Sequence, residues 1–201
     1  VSLSGLIEVM RGRRSVRRYQ DRPVPEAVLG ALLDAARWAP SAHNRQPWRF
    51  AVLTDLVQRD RLARAMGERF RADLTADRLD PDAVERQVSR SYQRISGAPA
   101  AIVVCMSMAD MDVYPDARRA GAERIMATQS VALAVQNLLL AAHQAGLGAC
   151  WICAPLFCPD VVRDTLALPA DWEAQALITL GYPAQEKHSE RAPLEAKVLW
   201  F

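Results

Sequence analysis

Apolar positions along the chain switch between a helical and a strand period, and those switches mark out the elements. Leu3, Leu6, Ile7 and Met10 keep the spacing of a helix face behind a Ser2 or Ser4 cap. Pro25 suits the first turn of a second helix, with Val28, Leu29, Leu32, Leu33 and Ala36 on one side and Pro40 as its stop. Residues 48–53 read as a strand and residues 57–70 as an amphipathic helix; residues 71–81 are polar and turn-like. Pro81 then opens a helix that runs to about Ile95. Residues 100–106 form a continuous apolar run, the pattern of a strand buried on both faces. The stretch 115–144 is long, rich in Ala, Leu and Gln, and stops at Gly146; it is apolar nearly all round after Met126, which predicts a central, buried helix. Residues 149–153 and 174–182 read as further strands, with a short helix over 159–166 between them. A polar loop, 183–191, leads to a tail ending in Val198, Leu199, Trp200 and Phe201. Such a tail needs a surface to cover it, and a partner subunit is the expected place.

Strands and helices alternate unevenly, which predicts an α+β architecture and not a regular βαβ array. No repeat, low-complexity segment or linker divides residues 1–201, so a single domain is expected. Hydrophobic residues at 51% and charged residues at 24% match an ordinary soluble protein. A net charge of +2 argues against nucleic acid or an anionic membrane as the main partner. Residues 1–10 carry neither a basic leader nor an unbroken apolar run, and the apolar tract 130–142 is too short to span a bilayer. A cytoplasmic protein is expected, with Cys105, Cys150, Cys153 and Cys158 reduced.

Only Lys187 and Lys197 are lysines; the other basic residues are arginines, so clustering carries the information and arginine usage does not. Arg11, Arg13, Arg14, Arg17 and Arg18 crowd between the first two helices. A charge run of this kind is ordinarily a solvated turn. Here Ser15 adds a neutral hydroxyl, and Val16 interrupts the charge as though one side faces a core. Arginine's planar fork matches phosphate oxygens, so alternating Arg13, Ser15 and Arg17 could line a phosphate and a polyol chain. In the stretch 39–48, two prolines fix a loop in which Ser41, Asn44 and Gln46 can donate to and accept from the edge of a flat heterocycle. A loop satisfying its own backbone is an equal alternative, and His43 reads as solvent-exposed.

Gly146 and Gly148 follow a helix and enter a strand, the reverse of a dinucleotide fingerprint. They end the long helix and let a backbone approach a ligand ring, where an N–H could meet flavin N5. Cys150 and Cys153 with Cys158 invite a metal or redox reading, but a redox pair belongs at a helix start, so core or pocket-wall roles are favoured and no metal is expected. Arg191, after Gly181-Tyr182-Pro183, is by itself a surface-loop residue.

Taken in order, Arg13-Arg14-Ser15-Val16-Arg17, Pro40-Ser41 with Asn44 and Gln46-Pro47-Trp48, Gly146-Leu147-Gly148, and Gly181-Tyr182-Pro183 with Arg191 resemble the FMN-dependent nitroreductase family over essentially the whole chain. The resemblance implies a three-layer α+β fold, with a central mixed, mainly antiparallel sheet flanked by helices, built as an intertwined homodimer. The helix over 115–144 would form the dimer core and the tail would wrap the other subunit. Each of two interface sites would hold one FMN. Arg13, Arg14, Ser15, Val16, Arg17 and Arg191 would hold its phosphate and ribityl chain. Ser41, Asn44 and Gln46 would approach the ring from the partner, and the Trp151-Ile152 backbone would face it.

A narrower likeness lies in residues 71–77, 114–117 and 168–173, which resemble the C-terminal FMN-binding domain of the bifunctional enzyme of coenzyme F-420 biosynthesis. Position 78 departs from that pattern, being Arg where Gly is expected. This likeness implies reduction of dehydro-F-420-0, with Asp73 and Trp151 contacting the deazaflavin. Within the wider family the implied activity is a ping-pong, two-electron reduction on FMN N5 with little acid–base work from the protein. The donor would be NAD(P)H or a deazaflavin. A broad nitro or quinone reductase is the alternative enzyme, and a non-catalytic flavin or deazaflavin binder is the alternative of another kind.

Overall fold

The structure, a computed structural model, describes residues 3–186 and 188–201. A four-stranded antiparallel sheet carries the molecule, built from β1 (Trp48–Leu53), β2 (Ala100–Met106), β3 (Gly148–Ile152) and β4 (Glu173–Gly181) in the order β1-β2-β4-β3. The continuous apolar run over 100–106 forms an inner strand, and every one of its residues is buried. Its alternating side chains feed two separate cores. Ile102, Val104 and Met106 pack with α2 (Glu26–Arg37) and α5 (Ala117–Gln144) on one face. Ala101, Val103 and Cys105 pack with α3 (Leu56–Ala76), α4 (Pro81–Ser96) and α6 (Pro159–Leu166) on the other. Two helical layers over one sheet is the α+β, three-layer arrangement expected. Within the chain the one parallel pairing among the described residues is an isolated bridge, Ser15 with Ala149.

Three local readings need correction. First, α1 spans Leu3–Gly12, so Ser4 lies inside its first turn and does not cap it; Ser2 lies outside the described residues. Second, Pro25 precedes α2 as its N-cap, in extended backbone, and is not within the first turn. Third, residues 71–76 are not a turn. The α3 helix runs through them, because Glu68 and Glu85 both bind Arg71 and keep the polar face of the last turns occupied. It stops where Asp77 caps it and Arg78 takes φ 59°, with Leu79 N–H donating to Leu74 O at 3.3 Å. Position 78 therefore asks for the left-handed conformation that glycine adopts without a Cβ penalty. Arg78→Gly should raise stability by about 0.5–1 kcal/mol in a denaturant titration, while Arg78→Ala should gain nothing.

Helix α5 begins two residues later than the pattern predicts, capped by the Asp116 carboxylate, which accepts from Arg119 N–H at 2.9 Å. By length and composition it could cross a membrane, but it lies against the sheet and α2, with Ala134, Val135 and Leu138 fully buried. It is the buried core helix expected, although Ile125 (60% exposed) and Leu133 (46% exposed) face outward within one chain. Its C-terminus closes as a Schellman turn. Leu147 N–H donates to Ala142 O at 2.8 Å and Gly146 N–H to His143 O at 3.0 Å, with Gly146 at φ 74°.

Candidate functional site

The arginine segment leaves α1 and runs alongside β3 as a short fifth rail. Val16 N–H donates to Ala149 O at 3.0 Å. Val16 itself is buried, and a Cβ placed on Gly148 would sit 2.7 Å from its side chain. Gly148 therefore lets this segment approach the sheet; the close approach expected of a ligand ring is made by Val16. Further along, the Tyr19 hydroxyl lies 2.7 Å from Val16 O, which accepts its proton, and 2.9 Å from Thr179 Oγ1. Burial raises the Tyr19 pKa well above its ordinary value, so the hydroxyl stays protonated as a clamp. Gln20 N–H donates to Tyr182 O at 2.9 Å and Ala184 N–H to Arg18 O at 3.0 Å, which ties residues 182–184 to the same rail.

This anchoring sorts the predicted residues. Val16 has its side chain buried and its N–H and carbonyl engaged within the chain, so it positions its neighbours and offers no group to a ligand. Arg14 donates to Arg13 O at 2.8 Å and to Ser189 O at 3.1 Å, while its Nε is buried without a partner. Arg191 in turn donates to Ser189 Oγ at 3.3 Å. The two motifs at opposite ends of the sequence thus meet through Ser189, and the late loop is part of the arginine cluster. Arg13 sits between them. Burial first, then the nearby Arg191 and Arg14 charges, lower its pKa. His143, at the end of α5, is likewise depressed by burial and then by Arg13 and Arg14.

Among the described residues, no carboxylate forms an ion pair with Arg13, Arg14, Arg17, Arg18 or Arg191. The ten ion pairs among the described residues use other arginines. Two neighbouring guanidiniums press on Arg13, which has no ion pair among the described residues, an arrangement suited to an anion.

The loop that leads into β1 is built differently. Its backbone stands in the left-handed region at His43 (φ 50°), Asn44 (φ 54°) and Gln46 (φ 52°), each costing roughly 1–2 kcal/mol and less for Asn44. Several contacts hold it there. Gln46 N–H donates to Ser41 Oγ at 3.1 Å, Ala42 N–H to Ser130 Oγ at 3.2 Å, and Arg45 to Asp112 at 2.5 Å. The buried Glu123 carboxylate accepts from Asp112 N–H at 3.2 Å and fixes that anchor from α5. Sequence patterning missed Glu123 and Ser130 because one polar residue per few turns of an apolar helix reads as noise. His43, Asn44 and Gln46 are exposed.

This loop enters β1, at one edge of the sheet, while the arginine segment lines β3 at the other. Three strand spacings, about 14 Å, separate those edges. Among the described residues, no hydrogen bond or ion pair joins the loop to the arginine cluster within one chain.

A cavity of about 500 Å³ opens beside Ile152, walled by Phe70, Leu74 and Phe157, with Asp73 at its edge. Asp73 and Ile152 therefore share this cavity, whereas Trp151, expected beside Asp73, does not line it. Trp151 packs against the α2–α5 core, half-buried, with its indole Nε1 buried and without a partner. The cysteines form no group with three metal-ligand side chains among the described residues. Cys150 and Cys158 are buried and Cys153 is exposed; burial pushes the Cys158 thiol up to about 11, which leaves little thiolate at neutral pH.

Residues 10–182 match the model of the nitroreductase family. The chain belongs to the nitroreductase family and is an oxidoreductase. It is 36% identical over 199 residues to an NADH dehydrogenase of Thermus thermophilus, covering 94% of this chain and 92% of that one. It is also 31% identical over 192 residues to a 5,6-dimethylbenzimidazole synthase of Rhodospirillum rubrum, covering 90% and 83%. Among solved structures, a Desulfovibrio desulfuricans protein described as a nitroreductase in complex with FMN superposes with a TM-score of 0.75 at 29% identity, covering 98% of this chain and 96% of that one.

Proposed function

We propose that the chain is an FMN-dependent two-electron reductase of small, flat acceptors, working as a homodimer with a small-molecule donor such as NAD(P)H. The observation that carries this is the cluster of Arg13, Arg14 and Arg191, tied together through Ser189 and uncompensated by any carboxylate partner among the described residues. The donor set fits FMN: guanidiniums for a phosphate, and the Ser15 hydroxyl beside them for a ribityl oxygen. Arg17, two residues on, would extend the same wall toward the ring. When bound, FMN supplies hydride chemistry that the side chains here do not.

The chain's own part is to bind, orient and exclude water. Ile152 and the apolar walls of the neighbouring cavity would keep the reacting face dry. Ser41, Asn44 and Gln46 sit across the sheet from the arginine wall, so a site using both sets takes them from two subunits. The outward Ile125 and Leu133 and the exposed tail residues Leu199, Trp200 and Phe201 offer the apolar surface for that pairing. Donor and acceptor would use the one cavity in turn.

A second reading, reduction of dehydro-F-420-0, is favoured by the placement of Asp73 on the wall of the cavity that holds Ile152. A non-catalytic flavin binder is separated from both by reoxidation. Purified protein should carry or take up FMN with near-stoichiometric occupancy, seen in its absorbance. The reduced protein should be reoxidised rapidly by a nitroaromatic or by dehydro-F-420-0 under anaerobic mixing. Protein that neither holds nor takes up FMN sinks the reading, and flavin that reoxidises only slowly with every acceptor leaves a binder.

A further inference from the structure

The apolar cavity beside Ile152 shares part of its wall with another. Arg90 and Arg94 line it and also line a second, more polar cavity of about 870 Å³, which reaches Arg17, Arg18 and Gln93. The two arginines stand one turn apart on α4 and so share a face. Neither makes an ion pair or a side-chain hydrogen bond among the described residues. Their neighbours are different: Arg69, on the same cavity, is held by Asp160 at 2.7 Å, and Arg71 is held by Glu85 at 2.7 Å. The counter-charges within the cavity are Asp73 on α3 and Asp77 at its C-cap, and Glu186 lies at the far cavity.

We propose that Arg90 and Arg94 form an anion subsite for the substrate, and that the acceptor is a flat ring bearing a carboxylate or phosphate arm. The ring would lie between Phe70, Leu74, Ile152 and Phe157, with the arm toward the two guanidiniums that line both cavities. Asp73 and Asp77 repel that arm and so set which way round the ring enters. This rests on the flavoenzyme reading above and adds the substrate class to it.

The test uses the flavin-loaded enzyme in its oxidised state, titrated with 4-nitrobenzoate and with the neutral 4-nitrobenzamide, each followed by the change in flavin absorbance. The wild-type protein should bind the anion about tenfold or more tightly than the amide. Arg90→Gln combined with Arg94→Gln should erase that preference through weaker anion binding, with amide binding and flavin content unchanged. Arg90→Lys with Arg94→Lys should keep part of it. The subsite is overturned by a wild-type protein that binds neither probe or shows no preference, or by a preference that survives the double change. It is also overturned by equal weakening of both probes or by loss of FMN, either of which would give the arginines to the scaffold or to the cofactor. Flavin content of the wild-type protein judges the underlying reading separately.

Discussion

Arg13→Ala is expected to weaken FMN binding by about 10- to 100-fold, the worth of a charge-assisted contact to phosphate. The apo protein should melt no lower than wild type. The reason lies in the charge balance: Arg13 is half-buried, pressed by Arg191 and Arg14, and pairs with no carboxylate among the described residues. Removing it relieves repulsion in the empty cluster and deletes attraction only when an anion is present. Arg13→Lys should recover part of the affinity, since it restores charge without the fork. Titration of apo protein with FMN, followed by fluorescence quenching, measures the first effect, and thermal melts without FMN measure the second. A parallel fall in both would assign Arg13 to the scaffold.

Gly148→Ala should cost about 1–3 kcal/mol of stability and weaken FMN binding as well. The added methyl would lie 2.7 Å from Val16 Cβ, which is part of a buried side chain and cannot swing away. Either the core opens or the arginine rail lifts off β3. Gly146→Ala is the control. It has open space around its Cβ position and a φ of 74°, so it should cost about 1 kcal/mol from backbone strain alone and leave FMN binding as it was. Combining Gly148→Ala with Val16→Gly should restore much of the lost affinity, because the second change removes the Cβ and both methyls that meet the first. Chemical denaturation and FMN titration of the four proteins give both readouts. Equal FMN affinity in Gly148→Ala and wild type would detach the rail from the cofactor.

The inner strands were legible because burial on both faces leaves an unmistakable run, as in 100–106. The long helices were legible from their period and from stops at Pro40 and Gly146. What patterning lost was the end of α3, where Arg71, Asp73 and Thr75 look like loop residues but are held in helix by ion pairs with Glu68 and Glu85 and by the Thr75 hydroxyl donating to Arg71 O at 2.8 Å. Polarity reports exposure, and an exposed helix reads the same as a turn. It also left the outer face of α5 undistinguished, since outward apolar residues such as Ile125 and Leu133 have the same composition as core.

For the site, the order of motifs carried the arginine cluster and the loop over 41–46. Val16 already pointed to a core-facing side by interrupting the charge, but the order of motifs could not show that Ser189 joins Arg14 to Arg191 or which backbone pairings hold Val16 inward. Those depend on pairings across more than a hundred residues, between Val16 and Ala149 and between Tyr19 and Thr179. Arg90 and Arg94 carry no motif. They emerge only because both line two cavities from one face of α4.

The pairing of Ser15 with Ala149 has a consequence for the life of the protein outside its catalytic cycle. A bare β3 would be a row of open backbone groups onto which another chain could stitch itself. The residues of the arginine segment close that seam. Anything that loosens them, whether substitution or synthesis under flavin starvation, would expose an adhesive edge at the moment the cofactor is missing. Solubility during production should then track flavin supply.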